Sequence, residues 1–188
     1  MLFGRKKQKL PALYTDAERA ALEAHISKHF GAITAVIRDR DSVDISVDIA
    51  VISPTYERNF FTLVTMGLGA YCMNVPKKKK KYAYEFERTE LMICLPPDWD
   101  MKDVLTRTAP DKKWYWPVKL LKDTAHLPIR DNILLDLSLH SAERPYADGV
   151  KFCGVLLSEI DEIFDGILNA SSMENMKVYR LLCLGIRY

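Results

Sequence analysis

What the chain lacks first is any patterned cysteine: its four, Cys72, Cys94, Cys153 and Cys183, are widely and irregularly spaced and include no Cys-x-x-Cys. That excludes the usual zinc-ribbon and dithiol redox arrangements. Three of the four sit in apolar runs, where a thiol behaves as a small hydrophobe, so a reducing compartment is the simpler expectation. Charge of one sign is also lacking, since 28% charged residues leave a formal net charge of only +2. A dedicated nucleic-acid binder would show a stronger positive field. No apolar run approaches the ~20 residues that a membrane-spanning helix needs, and the basic Arg5-Lys6-Lys7 start is not followed by an apolar stretch of signal-peptide length. The expectation is a cytoplasmic protein with no membrane partner. There is no Gly-x-Ser-x-Gly, no phosphate-cradling glycine loop and no cysteine in a recognisable catalytic context, so no residue declares a chemistry or implies a cofactor.

What is present reads as one domain, because 188 residues suffice for one good core. Residues 1–12 read as a flexible basic N-terminus and 13–188 as the domain. Thr15 and Glu18 have the spacing of a capping box and predict a helix from about Asp16 to Phe30, with Ala17, Ala21, Ala24 and Ile26 as its apolar face and Gly31 as its stop. From Val43 to Val51 apolar and polar residues alternate, predicting a half-buried strand with Ala32 to Arg38 as its partner across the polar turn Asp39 to Ser42. Phe60 to Thr65 predicts a central strand closed by Gly67 and Gly69. Leu91 to Leu95, five apolar residues, predicts a strand buried on both faces and ended by Pro96, which cannot donate a ladder hydrogen bond. Trp114 to Leu127 has helical spacing, with Pro117 tolerable only in the first turn and Pro128 as terminator. Asn132 to Leu139 and Val150 to Leu157 predict strands, Ile160 to Leu168 a helix, and Lys177 to Ile186 a last strand.

Several groups invite a chemical reading, and each has a plainer one. His25 and His29 share one side of the first helix and could hold zinc, but no third or fourth ligand is evident, and a solvated pair near a helix end is the plainer reading. Glu159, Asp161, Glu162 and Asp165 fall on the polar face left by Ile160, Ile163, Phe164, Ile167 and Leu168, as expected of an amphipathic helix. Asp98 and Asp100 flank Trp99, and Asp123 lies near His126, without a nucleophile beside either. A metal-dependent hydrolase using His25 and His29, or Asp98 and Asp100, is thus the rival from another class. The lysines from Lys77 to Lys81, followed by Tyr82 and Tyr84, could meet phosphates and bases, though a solvated connection that discourages edge aggregation is the more frequent use of such a run. Trp99, Trp114 and Trp116 could line a pocket, yet tryptophans of this kind are usually core or core-edge residues.

The order of the pieces resembles the suppressor-of-fused domain family as found in bacteria. The matching residues are Val47-Asp48-Ile49-x-Val51 leading to Pro54-Thr55, Phe61-x-Leu63-Val64-Thr65-x-Gly67, and Arg88-x-Glu90-Leu91-Met92 through Leu95-Pro96-Pro97-Asp98-Trp99. Trp116-Pro117, Leu120-Leu121 and Ala125 follow, then Phe152-x-Gly154-Val155 and Leu181 to Leu184. The resemblance implies an α/β (α+β) single domain with a central mixed, largely antiparallel sheet flanked by helices. It also implies interaction rather than catalysis, with no metal and no cofactor: animal relatives bind an extended peptide, and bacterial relatives are commonly proposed as immunity proteins for a toxin encoded by a neighbouring gene. By analogy, the surface after the Gly67 turn is the expected contact for another protein or an extended peptide, through Tyr71, Met73, Tyr82 and Tyr84. Where many relatives place Ser then Asp after the turn glycine, this chain has Gly69 and Ala70. It also stops at Tyr188, where relatives often continue.

Overall fold

Asp48–Ile52 is buried along its whole length, with Ile49 and Val51 in one apolar cluster and Ala50 and Ile52 in another. A strand whose alternate side chains both meet apolar neighbours must lie inside a sheet covered on both faces. The computed structural model has that architecture, and it describes residues 12–40, 42–106, 113–136, 139–141, 144–159, 172–173 and 176–185. In chain order the elements are α1 (Asp16–Phe30), β1 (Ile33–Ile37), β2 (Asp48–Ile52), β3 (Phe61–Met66), α2 (Ala83–Phe86), β4 (Thr89–Leu95), α3 (Met101–Thr106), α4 (Trp116–Arg130), β5 (Leu139–Ser141), β6 (Phe152–Glu159), β7 (Ser172–Met173) and β8 (Met176–Gly185). Short 3-10 turns cover Leu68–Ala70 and Lys77–Tyr82.

The sheet runs β1-β2-β3-β4-β8-β6-β5, with β7 paired to β8. Every described pairing between these strands is antiparallel except β4 with β8. The sheet is therefore mixed and largely antiparallel, as the family resemblance implied. One face carries Leu63, Leu91, Ile93 and Leu95 against Trp116, Leu121 and Ala125 of α4 and Met101 and Val104 of α3. The other carries Val64, Met66 and Met92 against Leu22, Ile26 and Phe30 of α1. Each such fully buried apolar side chain contributes about 1.5–3 kcal/mol, so the two helical layers hold the sheet from both sides.

α1 begins at the expected capping box, with the Glu18 amide donating to Thr15 Oγ1 at 3.2 Å and Glu18 Oε2 accepting the Thr15 amide at 2.9 Å. It ends at Gly31, whose φ of +103° suits only glycine. Its buried stripe is Leu22, Ile26 and Phe30, while Ala17, Ala21 and Ala24 are exposed. The four-residue spacing of the large side chains set the face, and the alanines fell outside it. β4 spans the apolar run as expected and stops before Pro96. β8 also lies where a last strand was expected.

Other boundaries moved for identifiable reasons. The expected strand from Val43 begins only at Asp48, and Val43 is 90% exposed. Before Asp48, side chains take the place of ladder bonds: the Val47 amide donates to Asp39 Oδ2 at 3.0 Å and the Asp39 amide to Asp48 Oδ1 at 2.8 Å. Pro128 does not end α4, which continues to Arg130. In the last turn a proline forfeits a single intrahelical bond, so the helix tolerates it. Of the stretch expected as a strand from Asn132 to Leu139, only Leu139 lies in a strand among the described residues, as the first residue of β5. Asn132 adopts a positive φ of +55°, and the Ile133 amide turns back to Leu127 O at 3.4 Å. The strand expected at Val150 to Leu157 starts at Phe152. α3 was not foreseen; Asp100 Oδ1 caps it by accepting the Asp103 amide at 3.0 Å. The helix expected at Ile160 to Leu168 lies outside the described residues.

Candidate functional site

The connection from β3 to β4 is long, and the chain anchors it at each end. At Gly67 the backbone takes a φ of +152°, and a Cβ there would lie 2.1 Å from Ser46 O, so only glycine can make this turn. The turn aims the Gly67 and Gly69 amides at Glu90 Oε1, at 2.8 Å and 3.1 Å. Tyr14 donates its hydroxyl to the same oxygen at 2.7 Å, and Thr65 Oγ1 donates to Glu90 Oε2. Thr65 Oγ1 in turn accepts the Leu91 amide at 2.8 Å. Glu90 is wholly buried. Burial pushes its carboxyl above the ordinary value against the four donors, and burial with the neighbouring carboxylate raises the Tyr14 hydroxyl as well. Thus one acidic side chain ties β3, β4, the turn and the segment before α1 together.

Beyond the turn the segment folds back on the body. Met73 is 4% exposed, its amide donates to Glu87 O at 2.7 Å, and its sulfur accepts the Leu135 amide at 3.5 Å. The side chain expected at a contact surface is therefore a core anchor, because a thioether fills the gap between the connection and the loop after α4. Tyr71 is partly buried against the same core cluster. Lys77 to Tyr82 form a 3-10 helix rather than an irregular loop, and α2 follows it at once. Tyr82 closes the first element and Tyr84 lies in the second. Lys79 pairs with Asp136 and lies 4.9 Å from the Phe86 ring centroid, while Lys77, Lys78 and Lys80 are exposed. At the far end Arg88 pairs with Glu18 Oε1 at 2.8 Å. The Arg88 guanidinium, with the Thr15 amide and hydroxyl, lowers the Glu18 carboxyl to about 2.

The remaining groups raised by the sequence are distributed over the fold. The His25 and His29 rings lie 4.6 Å apart and tilted, and among the described residues no group of three or more metal-ligating side chains comes together. Burial, then the His25 and Lys28 charges, lower the His29 imidazole below its ordinary value. Asp98 is exposed, and Asp100 caps α3. Asp123 pairs with Lys119, whereas His126 meets Asp44 Oδ1 at 3.1 Å and Lys122 O at 2.7 Å. Glu159 ends β6, and its acidic companions lie outside the described residues. Trp116 is buried, and Trp99 and Trp114 are partly buried against the core, with Trp99 Nε1 donating to Trp114 O at 3.0 Å. The rings of Trp99, Trp114, Trp116, Tyr146 and Phe152 meet in edge and stacked contacts.

A second ionic cluster, unseen in the sequence, fixes the β1–β2 connection. Asp48 accepts Arg38 Nη1 at 2.7 Å and Arg19 Nη2 at 3.0 Å, and Lys122 Nζ reaches Asp39 Oδ1 at 3.1 Å. Burial raises both carboxyls, but these cations and the backbone amides outweigh it and hold Asp48 and Asp39 below the ordinary carboxylate range. The signal available in the sequence was polar residues placed where β2 must be buried.

A mixed, largely antiparallel sheet covered by a helix on each face, with a clasped β3–β4 connection, defines an α+β domain of suppressor-of-fused type. A family model described as Suppressor of fused protein (SUFU) matches residues 44–187. The chain belongs to that family. A solved suppressor of fused homolog from Neisseria gonorrhoeae FA 1090 has the same fold, with a TM-score of 0.55 at 14% identity over 91% of this chain and 79% of the other. No curated protein matches the chain. Among the described residues no helix is long and apolar enough to cross a membrane.

Proposed function

We propose that this is a non-enzymatic protein-interaction domain that presents the β3–β4 connection to another protein or to an extended peptide. The observation that carries the reading is that this long connection is anchored rather than loose. Glu90 holds its entry turn, Met73 and Lys79 hold its middle, and Arg88 holds its exit. A surface fixed before binding loses less conformational entropy when a partner arrives. Tyr71, Tyr82 and Tyr84 are the contact residues in this reading, and Met73 anchors the connection to the core. Tyrosine suits such a role because it brings large contact area with few rotatable bonds.

The engagement of the acidic groups also favours binding over catalysis. Glu90, Asp48, Asp39 and Asp100 are each engaged with backbone amides or cations that hold the fold. In a bacterial setting the partner is a toxin encoded by a neighbouring gene, which this domain neutralises. The test is co-expression with the product of the adjacent open reading frame, followed by affinity measurement with Tyr71→Ala, Tyr82→Ala and Tyr84→Ala. Truncating an interface tyrosine costs about tenfold or more in affinity at a hot spot. Affinities within twofold of the original for all three variants would overturn the assignment of this surface.

A further inference from the structure

The lysine run belongs to a regular element, and its geometry specifies a partner more narrowly. Lys77–Tyr82 is a 3-10 helix, in which residues three apart eclipse one another and each residue rises ~2 Å. Lys77 and Lys80 therefore lie on one line, ~6 Å apart, with Lys78 at the head of the next line. The third line holds Lys79, which is turned to the body by Asp136 and the Phe86 ring. One lysine thus fastens the element, while Lys77, Lys78 and Lys80 face solvent. In an extended peptide, side chains on one face recur every ~6.6–6.8 Å. The two spacings match.

We infer that the Lys77–Lys80 ladder binds an extended acidic segment of the partner that carries carboxylates at alternate positions. The inference rests on the interaction reading above and adds the partner's chemistry to it. An acidic peptide fits better than a nucleic acid. A single-strand track engages about four or more nucleotides through a continuous cationic groove, whereas the ladder is ~6 Å long and the chain carries a net charge of only +2.

The probe is a fluorescein-labelled ten-residue peptide of alternating Glu and Thr, titrated with the full chain in a fluorescence-anisotropy assay at low salt. Binding should weaken as ionic strength rises, because exposed charges are screened over ~10 Å at 0.1 M salt. The triple variant K77E/K78E/K80E, which leaves Lys79 in place, should lose at least about tenfold in affinity, the product of three exposed pairs worth a few-fold each. The variant K28E/K102E/K151E changes net charge equally at exposed lysines on other elements and should stay within about threefold. Three results would each overturn the inference: equal losses in both variants, no loss in the ladder variant, or tighter ladder-dependent binding of a ten-nucleotide single strand. Once the cognate partner is in hand, the two ideas separate. Loss with the tyrosine variants but none with K77E/K78E/K80E would sink the ladder and spare the interaction surface, and no loss with either set would remove both.

Discussion

Replacing Gly67 by alanine is the sharpest test of how the connection is held. The φ of +152° lies where side chains are strained, and the new Cβ would approach Ser46 O to 2.1 Å, Ser46 C to 3.1 Å and Val47 Cα to 3.2 Å. All three are backbone atoms beside β2, so no side chain can swing aside. Relief requires the turn to move, and moving it lengthens the Gly67 and Gly69 bonds to Glu90. Backbone strain costs about 1–3 kcal/mol and each of the two weakened bonds to a buried carboxyl about 1–2 kcal/mol, giving roughly 3–7 kcal/mol in all. With a urea slope of about 2 kcal/mol per M, the unfolding midpoint should fall by about 2–3 M. Gly149→Ala is the internal control: its φ is +76° but nothing lies within 4 Å of the added carbon, so only the conformational strain of about 1 kcal/mol remains. A midpoint shift for Gly67→Ala of less than about 0.5 M, or no larger than that of Gly149→Ala, would show that the turn is not held in this way.

Asp48→Asn should cost about 2–4 kcal/mol, discounted for the half-exposed Arg38, because it leaves Arg19 and Arg38 facing a neutral amide; chemical denaturation at low and high salt reads it. Thr15→Ala should remove about 1 kcal/mol by uncapping α1, measurable as a lowered melting temperature with native circular dichroism retained at 20 °C. The Glu18 carboxyl is lowered to about 2, so its contribution is present above the ordinary value of 4.5 and is lost as pH falls through about 2; Glu18→Gln should flatten the acid limb of the stability curve across that window. Glu90 shifts the other way. Its folded form is favoured when protonated, so that contribution is complete below 4.5 and is lost as pH rises through the raised value, and Glu90→Gln should gain stability relative to the original chain as pH rises above 4.5. A relative loss over that range would mean that the four donors outweigh burial.

Much of the scaffold was legible because it rests on local chemistry. The capping box and Gly31 delimit α1 without help from the rest of the chain, and the Leu91 to Leu95 run can satisfy its side chains only in a strand covered on both sides. Boundaries failed where distant groups supplied the bonds. Val43 to Val47 alternates like a strand, yet the Asp39 and Asp48 carboxylates take the amides that a ladder would have used. Asn132 to Leu135 reads as extended, but Leu135 fills a core position beside Met73, 62 residues earlier in the chain. No local pattern encodes either competition.

The site was less legible than the scaffold, for a related reason. Its candidate residues were selected as aromatics near a loop, which is a statement about composition, whereas burial decides which of them a partner can touch. Met73 went to the core because the connection folds back over the loop after α4, and Lys79 went to Asp136, 57 residues away. Glu90 was visible only as part of a family fingerprint, since a lone acid in an apolar run does not reveal its donors. Yet the same acid explains the spacing of its neighbours. Thr65 must be a hydroxyl, Gly67 must lack a Cβ and Gly69 must bring its amide within 3.1 Å, so the Thr-x-Gly-x-Gly sequence that begins near the end of β3 and the Glu in β4 are two halves of one clasp. The Gly69 contact is made by a backbone amide, which any residue but proline supplies, so at that position the clasp constrains the backbone and leaves the side chain open.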